Sequence, residues 1–162
     1  MKYDQATNKI KFTDFSLIEV VYFLDAPDGT GKTFLISLLL ATIRAKNKIM
    51  IAVASSSIAA TLLSGRKTAQ SMFKIPLDLE RMENTVCSIP KNSLKAKVLQ
   101  DCVFVVWDEC TMANKISIEI VNRTMQDIRS NNLSFGGVIF LFAADFRQIL
   151  PIVSEPLKLT PV

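Results

Sequence analysis

The 162-residue chain contains no histidine, which removes the usual general base and the commonest transition-metal ligand from its chemistry. Its three cysteines, Cys87, Cys102 and Cys110, are an odd number without C-x-x-C spacing. They read as small buried hydrophobes in a reducing compartment, not as a disulfide frame or a metal knuckle. No apolar stretch approaches the roughly 20 residues that span a bilayer. The opening MKYDQATNKIKF lacks the apolar core of a signal peptide, so an intracellular location without a membrane partner is expected. The signature of disorder is missing too, since 49% of residues are hydrophobic, 21% are charged and the net charge is only +4. Such a chain suits one domain with a substantial core. The mildly basic balance is compatible with a polyanion partner without requiring one. Its denser basic stretch, Lys91, Lys95 and Lys97, reads first as a solvated helix face.

What is present is organised around VVYFLDAPDGTGKTFLISLL, residues 20–39. An apolar, β-branched and aromatic run reads as a buried strand. Asp25 to Gly31, rich in Pro and Gly, forces a turn, and Lys32-Thr33 opens a helical apolar pattern. Residues 26–33 fit the phosphate-loop pattern G-x-x-x-x-G-K-[ST], with Ala26 in place of the first glycine. The chemistry needs that order. Backbone N–H groups of the turn and of the helix N-terminus face phosphates, Lys32 reaches the β and γ oxygens, and the Thr33 hydroxyl ligates magnesium.

Downstream, the pattern predicts strands at 49–54, 102–107 and 138–143, with the first helix running to about Lys46. A short helix is expected from Ile58 to Ser64 behind Ser55-Ser56-Ser57, a polar loop over 65–71, a basic helix over 93–100, and a helix over 115–129. The first fourteen residues read as a helix or an ordered arm. Apolar strands alternating with helices predict an α/β fold, a parallel sheet with helices on both faces. Lys32, Ser55, Asp108, Glu109 and Gln148 all fall just past the carboxyl end of a strand, the edge where open α/β sheets bind ligands. The strand ending in Asp108-Glu109 is the expected partner of a phosphate loop. Asp108 holds magnesium, and Glu109 orients and deprotonates the attacking water.

The segments LDAPDGTGKTFLI, VASSSIAATLLSGRKTAQSMFKIPL, KNSLKAKVLQDCVFVVWDECTM and FGGVIFLFAADFRQILPIV resemble the petite-integration-frequency (Pif) type of ATP-dependent DNA helicase, most closely the copies carried by Helitron-like elements. The resemblance covers residues 22–153. It implies a RecA-like P-loop domain over 20–153, between an arm (1–19) and a tail (154–162), with 5′-to-3′ polarity and work in DNA repair, recombination or telomere maintenance. It also implies that Gly29, Thr30, Gly31, Lys32 and Thr33 bind ATP and Mg2+, with Asp108 and Glu109 as the magnesium and catalytic acids. Gln148 would sense the γ-phosphate, and Arg147 would tie nucleotide state to motor geometry. Ser55, Ser56, Thr68, Ser71 and Phe73 would line a single-stranded DNA track, hydroxyls on phosphates and the ring against a base. Gln5 stands where the family places an adenine-reading Gln.

Departures from the family pattern accompany the resemblance. Gly is usual where this chain has Asp28, Ser57 and Ala144, and His where it has Gln70. Asp28 puts a carboxylate inside the phosphate loop, at a residue where a positive φ would suit Gly better. The resemblance further implies a second RecA-like domain, the source of an arginine finger, beyond these residues. The expected protein is the first domain of an intracellular, nuclear helicase, not active alone. Other readings stay open: a nucleotide- or strand-binding module without turnover, a decayed mobile-element copy, or an unrelated P-loop NTPase.

Overall fold

The structure, a computed structural model, describes residues 2–4, 9–11, 21–61, 67–77 and 86–148. Near the N-terminus, β1 (Lys2–Asp4) pairs antiparallel with β2 (Lys9–Lys11), Tyr3 opposite Ile10. Of the two readings of this stretch, a helix or an ordered arm, these six described residues are not helical, and their alternation of polar and apolar residues has the period of a strand. Gln5, the expected domain boundaries and everything after Gln148 lie outside the described residues.

The main sheet has five parallel strands: β3 (Val21–Asp25), β4 (Ile49–Ala54), β5 (Lys67–Thr68), β6 (Cys102–Asp108) and β7 (Ile139–Ala144). Their spatial order is β3-β7-β6-β4-β5. The last long strand thus lies between the first and β6, so that three separate turns open onto one stretch of sheet edge. Among the described residues five α-helices accompany them: α1 (Lys32–Ala45), α2 (Ser57–Thr61), α3 (Ala69–Phe73), α4 (Leu94–Asp101) and α5 (Lys115–Arg129).

The long inner strands β4, β6 and β7 are almost wholly apolar because both their faces are covered, whereas edge strand β3 leaves Phe23 67% exposed and edge strand β5 is the polar pair Lys67-Thr68. Along β6, Phe104 and Val106 pack with Met50, Leu141 and the Ile36, Leu39, Leu40 and Ile43 stripe of α1. The alternate residues Val105 and Trp107 join the opposite cluster, with Phe73 of α3, Leu99 of α4, and Ile120, Val121 and Met125 of α5. Each such side chain contributes about 1.5–3 kcal/mol on full burial. Helix starts follow their caps. The Ser93 hydroxyl accepts from Ala96 N–H, and the Asn114 side chain accepts from Ile116 N–H.

One expectation fails locally. The polar loop predicted over 65–71 contains β5 and the start of α3 instead. Lys67 and Thr68 extend the edge of β4, opposite Val53 and Ala54, and the Thr68 hydroxyl caps α3 by accepting from Ser71 N–H. A two-residue strand carries no periodicity to read. Before β7, Gly136 adopts φ +63°, and a Cβ there would sit 2.6 Å from the Met125 carbonyl oxygen, so only glycine fits against α5.

Candidate nucleotide site and strand-facing edge

The β3–α1 turn is built by backbone demands. Ala26 N–H extends the ladder to the Ala144 carbonyl at 3.1 Å, and Phe146 N–H donates to Asp25 Oδ1 at 3.2 Å, tying the turn after β7 to the end of β3. Thr30 folds back on the Pro27 carbonyl through its hydroxyl at 2.6 Å. Gly29 and Gly31 take φ of +79° and +90°, while a Cβ at either would meet nothing within 4 Å. Conformation, not crowding, requires glycine at both. Gly31 caps α1 without a side-chain hydrogen bond, and no acidic residue occupies the first turn. The N–H groups and positive dipole end of a fourteen-residue helix are thus presented to an anion. A hollow of about 480 Å³ lies between Pro27–Gly29, Gly31–Thr33, Phe34 and Ser37.

Lys32 Nζ donates to the Ala26 carbonyl and to Asp28 Oδ1, the latter at 3.2 Å. The lysine side chain is largely buried, and the Asp28 side chain is 76% exposed. Asp28 thus engages the cation that a phosphate would need. Strain at Asp28 is not part of the picture: Gly29 and Gly31 carry the positive φ values of this loop and Asp28 has none. The expectation of a backbone penalty there is corrected.

Across the sheet edge, Asp108 ends β6 buried between Ala54 and Ala143 in register. Its carbonyl accepts from Ser55 N–H at 3.1 Å, and its Oδ1 accepts from Glu109 N–H at 3.0 Å. Glu109 sits in the left-handed region, φ 52° and ψ 40°, a conformation that costs a non-glycine residue roughly 1–3 kcal/mol. Its Oε2 accepts from the Ser56 hydroxyl at 2.7 Å. Ser56 Oγ also accepts from Ala59 N–H at 3.1 Å, capping α2 (Ser57–Thr61), which begins one residue before the expected Ile58; residues 62–64 lie outside the described residues. Ser55 Oγ accepts from the buried Trp107 indole N–H at 2.9 Å.

Two other expected strand-contacting residues, Thr68 and Ser71, lie at the start of α3 on the same side. Ser71 is exposed, and its carbonyl accepts from Lys95 Nζ at 2.9 Å. Partial burial lowers the Lys95 pKa, and the nearby cations of Lys74 and Lys67 lower it further. Lys67, Lys74 and Lys95, drawn from three segments, thus lie near one another. Lys91, grouped with Lys95 in the sequence, instead pairs with Asp127 at 2.7 Å.

Phe73 is a correction. It is fully buried, its ring centroid 5.9 Å from that of Trp107 and 6.4 Å from that of Phe140. A ring holding two layers of the core together has no face left for a base. After β7, Phe146–Gln148 form a single 3-10 turn beside β3, with Arg147 exposed and its N–H bonded to Asp145 Oδ1. Gln148 closes that turn, and its side chain lies outside the described atoms. The three thiols are buried and free. Burial pushes Cys102 and Cys110 up to about 11, with the Asp108 charge adding to the effect at Cys110. Among the described residues, no helix is long and apolar enough to cross a membrane.

Sequence reasoning missed the Ser56–Glu109 and Ser55–Trp107 contacts and the lysine cluster. The two hydrogen bonds join residues more than fifty positions apart, and the lysines come from three separate segments, so none of these leaves a spacing signal.

The PIF1-like helicase family profile matches residues 4–162. The ATP-dependent DNA helicase Pif1 of a Psychrobacter species is 29% identical over 133 residues, 82% of this chain and 20% of that protein. The crystal structure of Pif1 helicase from Candida albicans matches with a TM-score of 0.69 at 27% identity, covering 84% of this chain and 31% of that one. Pif1 helicase from Bacteroides in complex with ADP-AlF3 and single-stranded DNA matches with a TM-score of 0.65 at 26% identity, over 83% and 30% of the two chains. The chain thus spans between a fifth and a third of the length of these relatives. Its five-stranded parallel sheet is the RecA-like fold of those helicases. The chain belongs to the PIF1-like helicase family.

Proposed function

We propose that this chain is the first RecA-like domain of an ATP-dependent 5′-to-3′ DNA helicase, binding Mg-ATP and single-stranded DNA on one edge of its sheet. The observation that carries this reading is the convergence of the phosphate loop after β3, Ser55 and Ser56 after β4, Asp108-Glu109 at the end of β6, and Phe146–Gln148 after β7. The polarity rests on family resemblance.

ATP phosphates lie over the first turn of α1, where Lys32 exchanges Asp28 for the β and γ oxygens. The Thr33 hydroxyl and the Asp108 carboxylate are oxygen donors, the type a hard divalent cation takes, and they fit Mg2+. These two residues would hold the ion, and the chemistry it would supply there is neutralisation of negative charge on the phosphoryl oxygens. Glu109 orients the attacking water and accepts its proton. Gln148 and Arg147, following the strand between β3 and β6, respond to the γ-phosphate. The Ser55, Ser56, Thr68 and Ser71 hydroxyls contact strand phosphates, and Lys67, Lys74 and Lys95 supply the attraction. A second RecA-like domain completes the hydrolytic site with an arginine finger. The setting is intracellular, and nuclear in a nucleated cell.

The test is ATP turnover with and without oligothymidylate, with a partner second domain supplied. Stimulation by the strand is expected; equal rates with and without it would overturn the reading. The Asp28–Lys32 pair favours a second reading, binding without turnover, and absence of hydrolysis by the reconstituted pair would select it.

A further inference from the structure

We propose that Ser56 is a positioning residue for Glu109, and that its single hydroxyl proton is contested between the Glu109 carboxylate and a phosphate of bound single-stranded DNA. The inference rests on the function proposed above and adds the link between its two ligands. The Ser56 hydroxyl has one proton and two acceptor pairs. The proton goes to Glu109 Oε2 at 2.7 Å, and one acceptor pair caps α2 through Ala59 N–H at 3.1 Å. Nothing remains to donate to a second anion. A strand phosphate bonded to Ser56 therefore takes the proton from Glu109, and a carboxylate holding that proton weakens the strand contact.

The surroundings make the exchange a local one. The β4–α2 turn is fixed to the end of β6 by Ser55 N–H to the Asp108 carbonyl and by Trp107 Nε1–H to Ser55 Oγ, so Ser56 stays in place when its proton changes partner. Glu109 begins the Cys110–Met112 turn from a left-handed conformation, and among the described residues the Ser56 hydroxyl is the hydrogen-bond donor to its carboxylate. With the strand absent, Ser56 holds the carboxylate toward α2. With the strand bound, the carboxylate is released to engage water at the nucleotide. Strand occupancy thereby sets the availability of the base, through two residues in direct contact. Coupling of this kind is reciprocal: Glu109 must weaken strand binding by the factor through which the strand frees Glu109.

A double-mutant cycle on strand affinity tests this without requiring turnover. Oligothymidylate is titrated into the wild-type chain, Glu109→Ala, Ser56→Ala, the double variant and Ser56→Thr, followed by anisotropy of a labelled strand. Glu109→Ala is expected to tighten binding by roughly 5–10-fold, the scale of the net contribution of one hydrogen bond. In the Ser56→Ala background that gain should fall below about twofold, because no proton is left to contest. Ser56→Thr keeps donor and cap and should behave as wild type. An equal Glu109→Ala gain in both backgrounds would show simple charge repulsion and overturn the proposal. So would no gain in either, provided the wild-type chain binds the strand. A wild-type chain that binds no strand even at low salt would instead overturn the underlying helicase reading, and this inference with it.

Discussion

Replacing Asp28 by glycine should tighten Mg-ATP binding, and the structure sets both the size and the cause. Asp28 Oδ1 lies 3.2 Å from Lys32 Nζ, with the carboxylate 76% exposed and the lysine largely buried. An ion pair with one exposed member is worth about 0.2–1 kcal/mol, and nucleotide binding forfeits it when Lys32 turns to the phosphates. The displaced carboxylate then faces the incoming anion. At a separation of ~5 Å and an effective dielectric of ~40–80, that repulsion is about 1–2 kcal/mol per charge pair. Together these give roughly 1.2–3 kcal/mol, a gain of about 7- to 150-fold in Kd. Asp28 has no positive φ to relieve, so Asp28→Asn should recover most of the gain, and both gains should shrink toward 1 M salt. Calorimetric titration of Mg-ATP into the three proteins at low and high salt is the assay. If neither variant binds more tightly, Asp28 does not oppose the nucleotide. A tighter Asp28→Gly variant beside an unchanged Asp28→Asn variant would move the cause to the backbone.

Lys32→Ala should weaken Mg-ATP at least about tenfold, the scale of a charge-assisted hydrogen bond; equal calorimetric affinities would remove the phosphate-loop assignment. Purified residues 1–162 should separate no duplex in a fluorescence strand-release assay, since stepping needs two domains and a missing arginine finger forfeits on the order of 10³-fold in turnover. Phe73→Leu should lower urea-unfolding stability by about 1–2 kcal/mol while leaving strand affinity within roughly twofold; a marked affinity loss in folded protein would return Phe73 to the DNA track. Gly136→Ala should cost more than about 1 kcal/mol and lower the melting temperature, because its Cβ meets a carbonyl oxygen at a left-handed φ; an unchanged melting curve would mean that α5 yields there.

Strand, turn, Lys-Thr and helix follow one another in residues 20–39, and every physical requirement of that site is local. Glycines supply φ, the turn ends β3, and α1 presents its N-terminus. The helix over 115–129 was equally legible, because Ile116, Ile120, Val121, Met125 and Ile128 repeat near period 3.6 and α5 buries four of them. The acids at the end of β6 could be placed at the same edge, since parallel strands carry their carboxyl ends to one side. Other features were decided by contacts between segments distant in sequence. Phe73 reads alike as a base-stacking ring or a core ring, and only packing against Trp107 and Phe140 chooses the core. One local contact was equally undecided: Asp28 lies four positions before Lys32, and only the geometry of the turn brings its carboxylate to the ammonium. Lys67, Lys74 and Lys95 become one basic cluster only when β5 joins the edge of β4 and α4 lies beside α3. The proton shared by Ser56 and Glu109 depends on β4 and β6 being neighbours in register, with Ala54 opposite Asp108. Local backbone chemistry is written in adjacent residues, whereas a hydrogen bond between residues 53 positions apart exists only once the sheet has fixed both ends.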